Sequence, residues 1–230
     1  SIHLEAGRTS LPQDSDSYAH DYGYPTLAWG VAAHFSDVTM RRTADPSWGL
    51  AEMQDYDSRL GNAVSFYGKF SRPFFRTRHW TADYVLGYGL GWHHLKYNPR
   101  TNVDDELMGS RWSMYFTAGL HVGYRFAKEW VAKAGVEYYH HSNGALNRPN
   151  KGSNNVGAVV ALQWSPNYED IYVHRYDFRP PPFHRYFYAT LLLGLGGKTF
   201  DGDWQRTQFR TDPKASDYST AHFHVNPVYE

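Results

Sequence analysis

The chain has 230 residues, and its 23 Lys and Arg balance its 23 Asp and Glu, so the formal net charge is zero. That balance excludes a nucleic-acid-binding protein that relies on excess positive charge. The absence of cysteine excludes disulfides, thiolate zinc sites and cysteine nucleophiles. With 17% aromatic residues but a mean hydropathy of -0.64, the chain is too polar for a helical membrane protein and too aromatic for a disordered one.

Alternation with a period of two predicts β-strands along most of the chain. The predicted strands, in chain order, lie near residues 2–7, 27–35, 64–70, 80–92, 112–126, 130–138, 156–164, 187–195 and 221–225. The clearest case runs from Trp80 to Trp92, where every even position is apolar and every odd position is small or polar. A helix cannot produce that pattern, because its side chains repeat every 3.6 residues. The sequence therefore predicts an all-β fold of antiparallel strands.

Two architectures share this pattern: a soluble sandwich or barrel with its apolar face inside, and a transmembrane barrel with its apolar face toward lipid. Three features favour the transmembrane barrel. The strands are long enough to cross a bilayer at a tilt, and Trp and Tyr lie at the ends of the apolar stripes, where interfacial girdles belong. The opposite face carries many ionisable residues, which would line a polar lumen: Asp83, Arg111, His121, Arg125, Lys133 and Glu137. We expect a single domain over residues 1–230, a transmembrane antiparallel β-barrel of about 8–12 strands.

Loop lengths predict the orientation of this barrel. Residues 127–129 and 71–79 are short connections, whereas residues 36–61, 95–109 and 144–153 are long. Bacterial outer-membrane barrels place short turns on the periplasmic side and long loops outside, so the second set is predicted to be extracellular. Residues 167–184, with three consecutive prolines, then form a long periplasmic connection. On this orientation the first strand starts outside, which indicates that a strand is missing upstream or that the count is wrong by one.

A chemically suggestive segment lies at the outer end of the predicted strand 130–138. The alternation places His140 and Ser142 on the lipid-facing side, and His141 on the lumen side. Residues i and i+2 on a strand have neighbouring side chains, so His140 would accept the proton of the Ser142 hydroxyl and make it a nucleophile. Asn154 opens the next strand and is in phase with its outward residues. A hydrolytic site on the outside of a barrel implies a lipid substrate.

This segment resembles a known family. His140-x-Ser142-Asn143, followed by Pro149-Asn150-x-Gly152 and then a strand, is similar to the PagL-type lipid A 3-O-deacylases of the outer membrane, in particular their larger Bacteroidetes-type acyloxyacyl hydrolase relatives. The specific likeness covers residues 140–154. A looser one covers about residues 20–165, with additional strands over 184–230.

The resemblance implies a role for each matching residue. His140 would be the general base, Ser142 the nucleophile, and Asn150 a donor to the oxyanion, together with backbone N–H groups near Gly144 and Ala145; Asn143 would support them. Asn154 stands where the family has an acidic third triad member. An amide orients the imidazole through a hydrogen bond, but it does not stabilise an imidazolium as a carboxylate does.

Three carboxylates of the outer loop, Asp104, Asp105 and Glu106, are alternative partners for His140, whereas Glu137 lies on the wrong face. Arg148 and Lys151 are candidate contacts for lipid A phosphates. Neither His93-His94 nor His140-His141 forms a metal site, since adjacent strand residues face opposite sides. We expect no metal and no cofactor.

The sequence thus predicts a lipid A deacylase of the Gram-negative outer membrane, with its site toward the outer leaflet. Its expected partners are lipopolysaccharide and outer-membrane lipid but no nucleic acid, and a homodimer is left open. Two alternatives remain: an inactive relative that binds lipopolysaccharide or serves as a structural barrel, and a small porin.

Overall fold

The computed structural model describes residues 1–11, 19, 22–35, 39–42, 56–102, 104–144, 146–166, 191–198 and 222–229. These residues contain eleven strands: β1 (Ile2–Thr9), β2 (Thr26–His34), β3 (Thr39–Arg42), β4 (Tyr56–Arg59), β5 (Ala63–Arg76), β6 (Trp80–His93), β7 (Trp112–Ala127), β8 (Trp130–Ser142), β9 (Ser153–Trp164), β10 (Leu191–Lys198) and β11 (His222–Tyr229). Within these ranges, no helix is long and apolar enough to span a membrane.

The main sheet has seven antiparallel strands in the order β1-β2-β5-β6-β7-β8-β9, and β3-β4 and β10-β11 form separate two-stranded sheets. The predicted all-β antiparallel architecture is therefore confirmed. Two connections differ in detail from the prediction. The long segment 36–61 includes the paired strands β3 and β4, and β5 continues through Pro73 to Arg76, which shortens the connection to β6. A shift in the β5-β6 register between Pro73 and Phe75 explains why the strand continues, because a bulge accommodates a proline that cannot donate to the ladder.

The main sheet is strongly curved, so that its inner-face residues on distant strands come into contact. Neighbouring strands lie about 4.8 Å apart, so β2 and β8, four steps apart in the sheet order, would be about 19 Å apart in a flat sheet. Yet the rings of His34 on β2 and His141 on β8 have centroids only 5.1 Å apart. The Ser65 hydroxyl on β5 likewise lies 2.9 Å from His141 Nε2. The inner face therefore closes on itself as the wall of a barrel.

The two faces of the sheet differ as the alternation predicts. Large apolar side chains point outward and are exposed; Val160, for example, is 87% exposed. The inner face contains Tyr67 and Tyr115, at 1% and 0% exposure, which pack with Ala32 and Tyr139. Aromatic rings thus fill the interior at this level of the barrel.

Ionisable residues of the inner face pair with one another along the barrel wall, between adjacent or next-but-one strands. Lys133 Nζ lies 3.3 Å from Asp83 Oδ2, and His121 Nε2 lies 2.8 Å from Glu137 Oε1. Arg111 does not follow the prediction: its guanidinium lies 5.6 Å from the centroid of the outward-facing Trp92 ring. Arg111 precedes β7, so the alternation does not constrain it, and the attraction between a cation and an indole ring turns it to the outer surface.

At the end of the barrel that carries the short turns, Thr9 of β1 and Gln163 of β9 line a common cavity with Arg76, His79 and Lys133. The two edge strands of the main sheet therefore approach one another there. The predicted connection 167–184 and residues 187–190 of the predicted strand 187–195 lie outside the described residues.

Candidate active site

The C-terminal end of β8 presents His140 and Ser142 on one face and His141 on the other. His140 and Ser142 are half-buried, whereas His141 is 1% exposed and packs among the rings of His34, His93 and Tyr115. Because strand side chains alternate, the packing of His141 inside the barrel fixes His140 and Ser142 on the outside.

Asn154 lies directly opposite His140 in the β8-β9 ladder. Its Oδ1 lies 2.8 Å from His140 Nδ1 and 2.7 Å from the Tyr138 hydroxyl. A carbonyl oxygen only accepts hydrogen bonds, so Nδ1 carries the proton and donates it. In the neutral ring, Nε2 is then the nitrogen that accepts a proton, which is the form a general base requires.

Tyr138 also belongs to this network, although its position at the end of an apolar stripe predicts only an interfacial tyrosine. The signal that would have found it is its phase, because residues 138, 140 and 142 share the outward face of β8. The centroid of the Tyr138 ring lies 6.3 Å from that of the Phe116 ring, so Phe116 on β7 packs beside Tyr138.

The loop after β8 folds back over the strand end. The Asn143 N–H donates to Asn150 Oδ1 over 2.9 Å, and Asn143 Nδ2 donates to the Asn147 carbonyl over 2.8 Å. With its carbonyl end engaged by Asn143, Asn150 has an amide group available at its other end to donate to an oxyanion. Gly144 has a φ of 64°, and Ala145 lies outside the described residues.

Gly152 is buried and has a φ of 69°, a conformation that favours glycine. A Cβ at this position would lie 3.1 Å from His140 Cε1, 3.5 Å from Ser142 Cβ and 2.8 Å from the His141 carbonyl oxygen. The backbone of the loop therefore touches both His140 and Ser142, and only a residue without a side chain permits that approach.

A second loop, residues 104–111, supports the first. The Lys151 and Gly152 N–H groups each donate over 3.1 Å, to the carbonyls of Glu106 and Leu107, and the Gly109 N–H donates to the Pro149 carbonyl. Leu107 and Met108 pack with Leu60 in a small buried cluster. The Lys151 ammonium also pairs with the Glu106 carboxylate. These contacts fix the position of Gly152 over β8.

The carboxylates that sequence reasoning considered for His140 have other partners. Glu137 faces the lumen beside His121. Asp105 accepts hydrogen bonds from the Leu107 N–H and Asn102 Nδ2, and its burial raises the pKa of its carboxyl to about 7. Glu106 pairs with Lys151. Of the side chains considered as partners for His140, Asn154 is therefore the one that forms a hydrogen bond with its ring.

The remaining predicted site residues lie nearby in the folded loop. Lys151 contacts Glu106, while the Arg148 carbonyl packs against Gly109, where a Cβ would lie 2.3 Å from it. In the part of the chain that the structure describes, no group of three or more His, Asp or Glu side chains is arranged to hold a metal ion.

The family model of the lipid A 3-O-deacylases (PagL) matches residues 23–163, which is more than half of the chain. The chain belongs to the PagL family. The matched segment runs from just before β2 almost to the end of β9 and contains every residue of the network described above. The chain has no significant match among the curated proteins or among the solved structures. Membership in the PagL family supports the general activity, deacylation of lipid A, and an outer-membrane barrel as its setting.

Proposed function

We propose that this PagL-family barrel hydrolyses an ester-linked 3-hydroxyacyl chain of lipid A through an acyl-enzyme formed on Ser142, with the site open to the outer leaflet. The observation that carries the proposal is the hydrogen bond from His140 Nδ1 to Asn154 Oδ1. It sets the tautomer in which His140 Nε2 accepts a proton, one strand repeat away from the Ser142 hydroxyl.

The chemistry follows from this arrangement. Ser142 Oγ attacks the ester carbonyl carbon while His140 Nε2 takes its proton, and the oxyanion accepts hydrogen bonds from Asn150 Nδ2 and backbone N–H groups near Gly144. The lipid A alkoxide then leaves with the proton from His140, and the acyl group stays on Ser142. A water molecule, deprotonated by His140, releases the 3-hydroxy fatty acid and restores the serine.

The surroundings suit an amphiphilic substrate. Ser142 opposes Met114 and His140 opposes Phe116 in the β7-β8 ladder, and both partners present apolar surface outward. On the other side of the site, Val156 follows Asn154 on the outward face of β9. An acyl chain would lie against these residues while the sugar ring stays at the level of the loops. We assign Arg148 and Lys151 of this loop to contacts with the lipid A phosphates.

Asn154 sets an upper limit on the rate. In a serine protease triad, replacing the aspartate with asparagine lowers kcat by about 10⁴-fold, because the imidazolium is then stabilised less and the tautomer is wrong. In this chain the tautomer is compatible with catalysis, so only part of that loss applies. We therefore assign a slow but serine-dependent deacylase.

The porin alternative is disfavoured by the interior. Tyr67 and Tyr115 are almost fully buried on the inner face, so side chains fill the interior at this level of the barrel. The Lys133–Asp83 and His121–Glu137 pairs of the same face are also largely buried. An inactive relative that binds lipopolysaccharide would have the same interior, so only the reaction distinguishes it from the enzyme.

The test is release of 3-hydroxy fatty acid from lipid A by the purified barrel, measured by mass spectrometry, with Ser142→Ala and Ser153→Ala variants. Ser153 lies at the same rim but is buried on the inner face, opposite His141. We expect release by the unmodified protein and by Ser153→Ala, and a loss of at least about 10³-fold with Ser142→Ala. No release by the unmodified protein would leave the non-catalytic alternative, and full activity of Ser142→Ala would exclude this nucleophile.

A further inference from the structure

Asn154 Oδ1 receives two hydrogen bonds on one atom, one from the Tyr138 hydroxyl and one from His140 Nδ1. Tyr138 and His140 are second neighbours on β8, and Asn154 faces them from β9. We propose that Tyr138 is a positioning residue for the deacylation: its hydroxyl keeps the carbonyl end of Asn154 toward His140. This inference rests on the proposed function and concerns the same site.

The need for such a residue follows from the chemistry of an amide. A carboxylate offers two equivalent acceptor oxygens, so either one faces an imidazole correctly. The Asn154 side chain has one acceptor end and one donor end, and its terminal torsion has a broad two-fold preference. If the amide turns over, Nδ2 donates to His140 Nδ1, the ring proton moves to Nε2, and the base that Ser142 needs is lost.

Tyr138 opposes that turnover. A phenol donates a hydrogen bond better than it accepts one, because the ring withdraws the oxygen lone pair, so its hydroxyl favours Oδ1 over Nδ2. The Tyr138 ring is itself held against Phe116. Asn154 is exposed, so water would otherwise compete for its amide. Two donors that converge on one oxygen select the orientation that catalysis needs.

The experiment is a double-mutant cycle between Tyr138→Phe and Asn154→Asp, read as kcat and KM for lipid A. In the Asn154 background we expect Tyr138→Phe to lower kcat about tenfold with little change in KM, consistent with loss of one hydrogen bond at the reacting network. In the Asn154→Asp background the loss shrinks to less than about threefold, because the aspartate needs no orientation. Tyr124→Phe, an outward tyrosine at the other end of β7, is the matched control and leaves kcat unchanged.

A second readout does not depend on turnover. Side-chain ¹⁵N NMR of His140 in the detergent-solubilised barrel reports which ring nitrogen carries the proton. We expect the Nδ1-protonated form in the unmodified protein and a shift toward the Nε2-protonated form in Tyr138→Phe. Heat-modifiable mobility on gels confirms that each variant is folded.

The outcomes separate the two proposals. Unchanged kcat and tautomer in Tyr138→Phe overturn the positioning role while Ser142-dependent release still stands. Equal losses in both Asn154 backgrounds indicate a general structural role and also overturn it. If the unmodified protein shows no Ser142-dependent release, the proposed function fails, and the NMR result alone decides whether Tyr138 orients Asn154.

Discussion

Asn154 Oδ1 lies 2.8 Å from His140 Nδ1, and the two residues are partners in the β8-β9 ladder. The backbone register, not a long flexible connection, therefore brings the amide to the imidazole. Residues directly opposite each other in an antiparallel pair have Cβ atoms about 5 Å apart, within reach of these two side chains.

Replacing Asn154 with Asp is expected to raise kcat by at least about tenfold. The gain should stay below about 10⁴-fold, the change in kcat that the corresponding replacement causes in a serine protease. The carboxylate has nearly the same shape, and in the proposed mechanism it would stabilise the imidazolium formed when His140 takes the Ser142 proton. Fatty acid release under saturating lipid A measures the gain. Asn147→Asp, which adds the same charge in the exposed loop, serves as the control and leaves kcat unchanged. An Asn154→Asp variant no faster than the unmodified protein would contradict the role assigned to this residue.

Replacing Gly152 with Ala is expected to lower kcat about tenfold or more and to destabilise the barrel by about 1–2 kcal/mol. The new Cβ would lie 2.8 Å from the His141 carbonyl oxygen and 3.1 Å from His140 Cε1, at a φ of 69°. Activity and the urea midpoint in lipid vesicles are the two measurements.

Gly157→Ala is the matched control for Gly152→Ala, since no atom lies within 4 Å of a Cβ built at Gly157 on the next strand. It should leave both the activity and the midpoint close to those of the unmodified protein. Similar losses in the two glycine variants would show that the approach of Gly152 to His140 has no special role.

Lys151→Gln is expected to raise KM several-fold for bisphosphorylated lipid A and to have a smaller effect on a monophosphorylated substrate, because the phosphate contact proposed for Lys151 would be lost. Glu106→Gln removes the ion-pair partner of Lys151 and is expected to lower KM for the bisphosphorylated substrate. A Lys151→Gln variant with the same KM increase for both substrates would indicate a role in loop structure instead.

The loop 104–111 is expected to lose stability as pH rises from about 4 to about 7. Burial raises the pKa of Asp105 from 3.8 to about 7, so the folded state binds a proton more tightly than the unfolded chain. The unfolded state therefore holds fewer protons in this window, and the free energy of unfolding falls with pH by up to about 1.4 kcal/mol per unit. Below the unfolded pKa the contribution is fully present, and above about pH 7 no further loss follows.

Urea unfolding of the barrel at about pH 5 and about pH 8, compared between the unmodified protein and Asp105→Asn, isolates this contribution. We expect the unmodified protein to lose more stability than the variant between the two pH values. If the free energy of unfolding changed equally with pH in the two proteins, the contribution assigned to Asp105 would be refuted.

Much of the fold follows from the sequence because strand side chains repeat every two residues. The alternation from Trp80 to Trp92 and along β7 assigns an inner and an outer face to each residue, and it separates His140 from His141 without any structure. It fails where no regular strand enforces it, as at Arg111, and it misses the short hairpin strands β3 and β4. It also ends β5 too early, because Pro73 is tolerated only through a local bulge.

The sequence by itself determined the outward phase of His140, Ser142 and Asn154, since these lie on strands whose one face must be apolar. Only the tertiary structure decided their partners. The β8-β9 register brings Asn154 to His140 and adds Tyr138 to the same oxygen. Contacts between two loops bring Gly152 over His140 and turn Glu106 to Lys151. Periodicity is local and is visible in one chain segment, whereas register and loop docking depend on pairing between distant segments, which no single segment encodes.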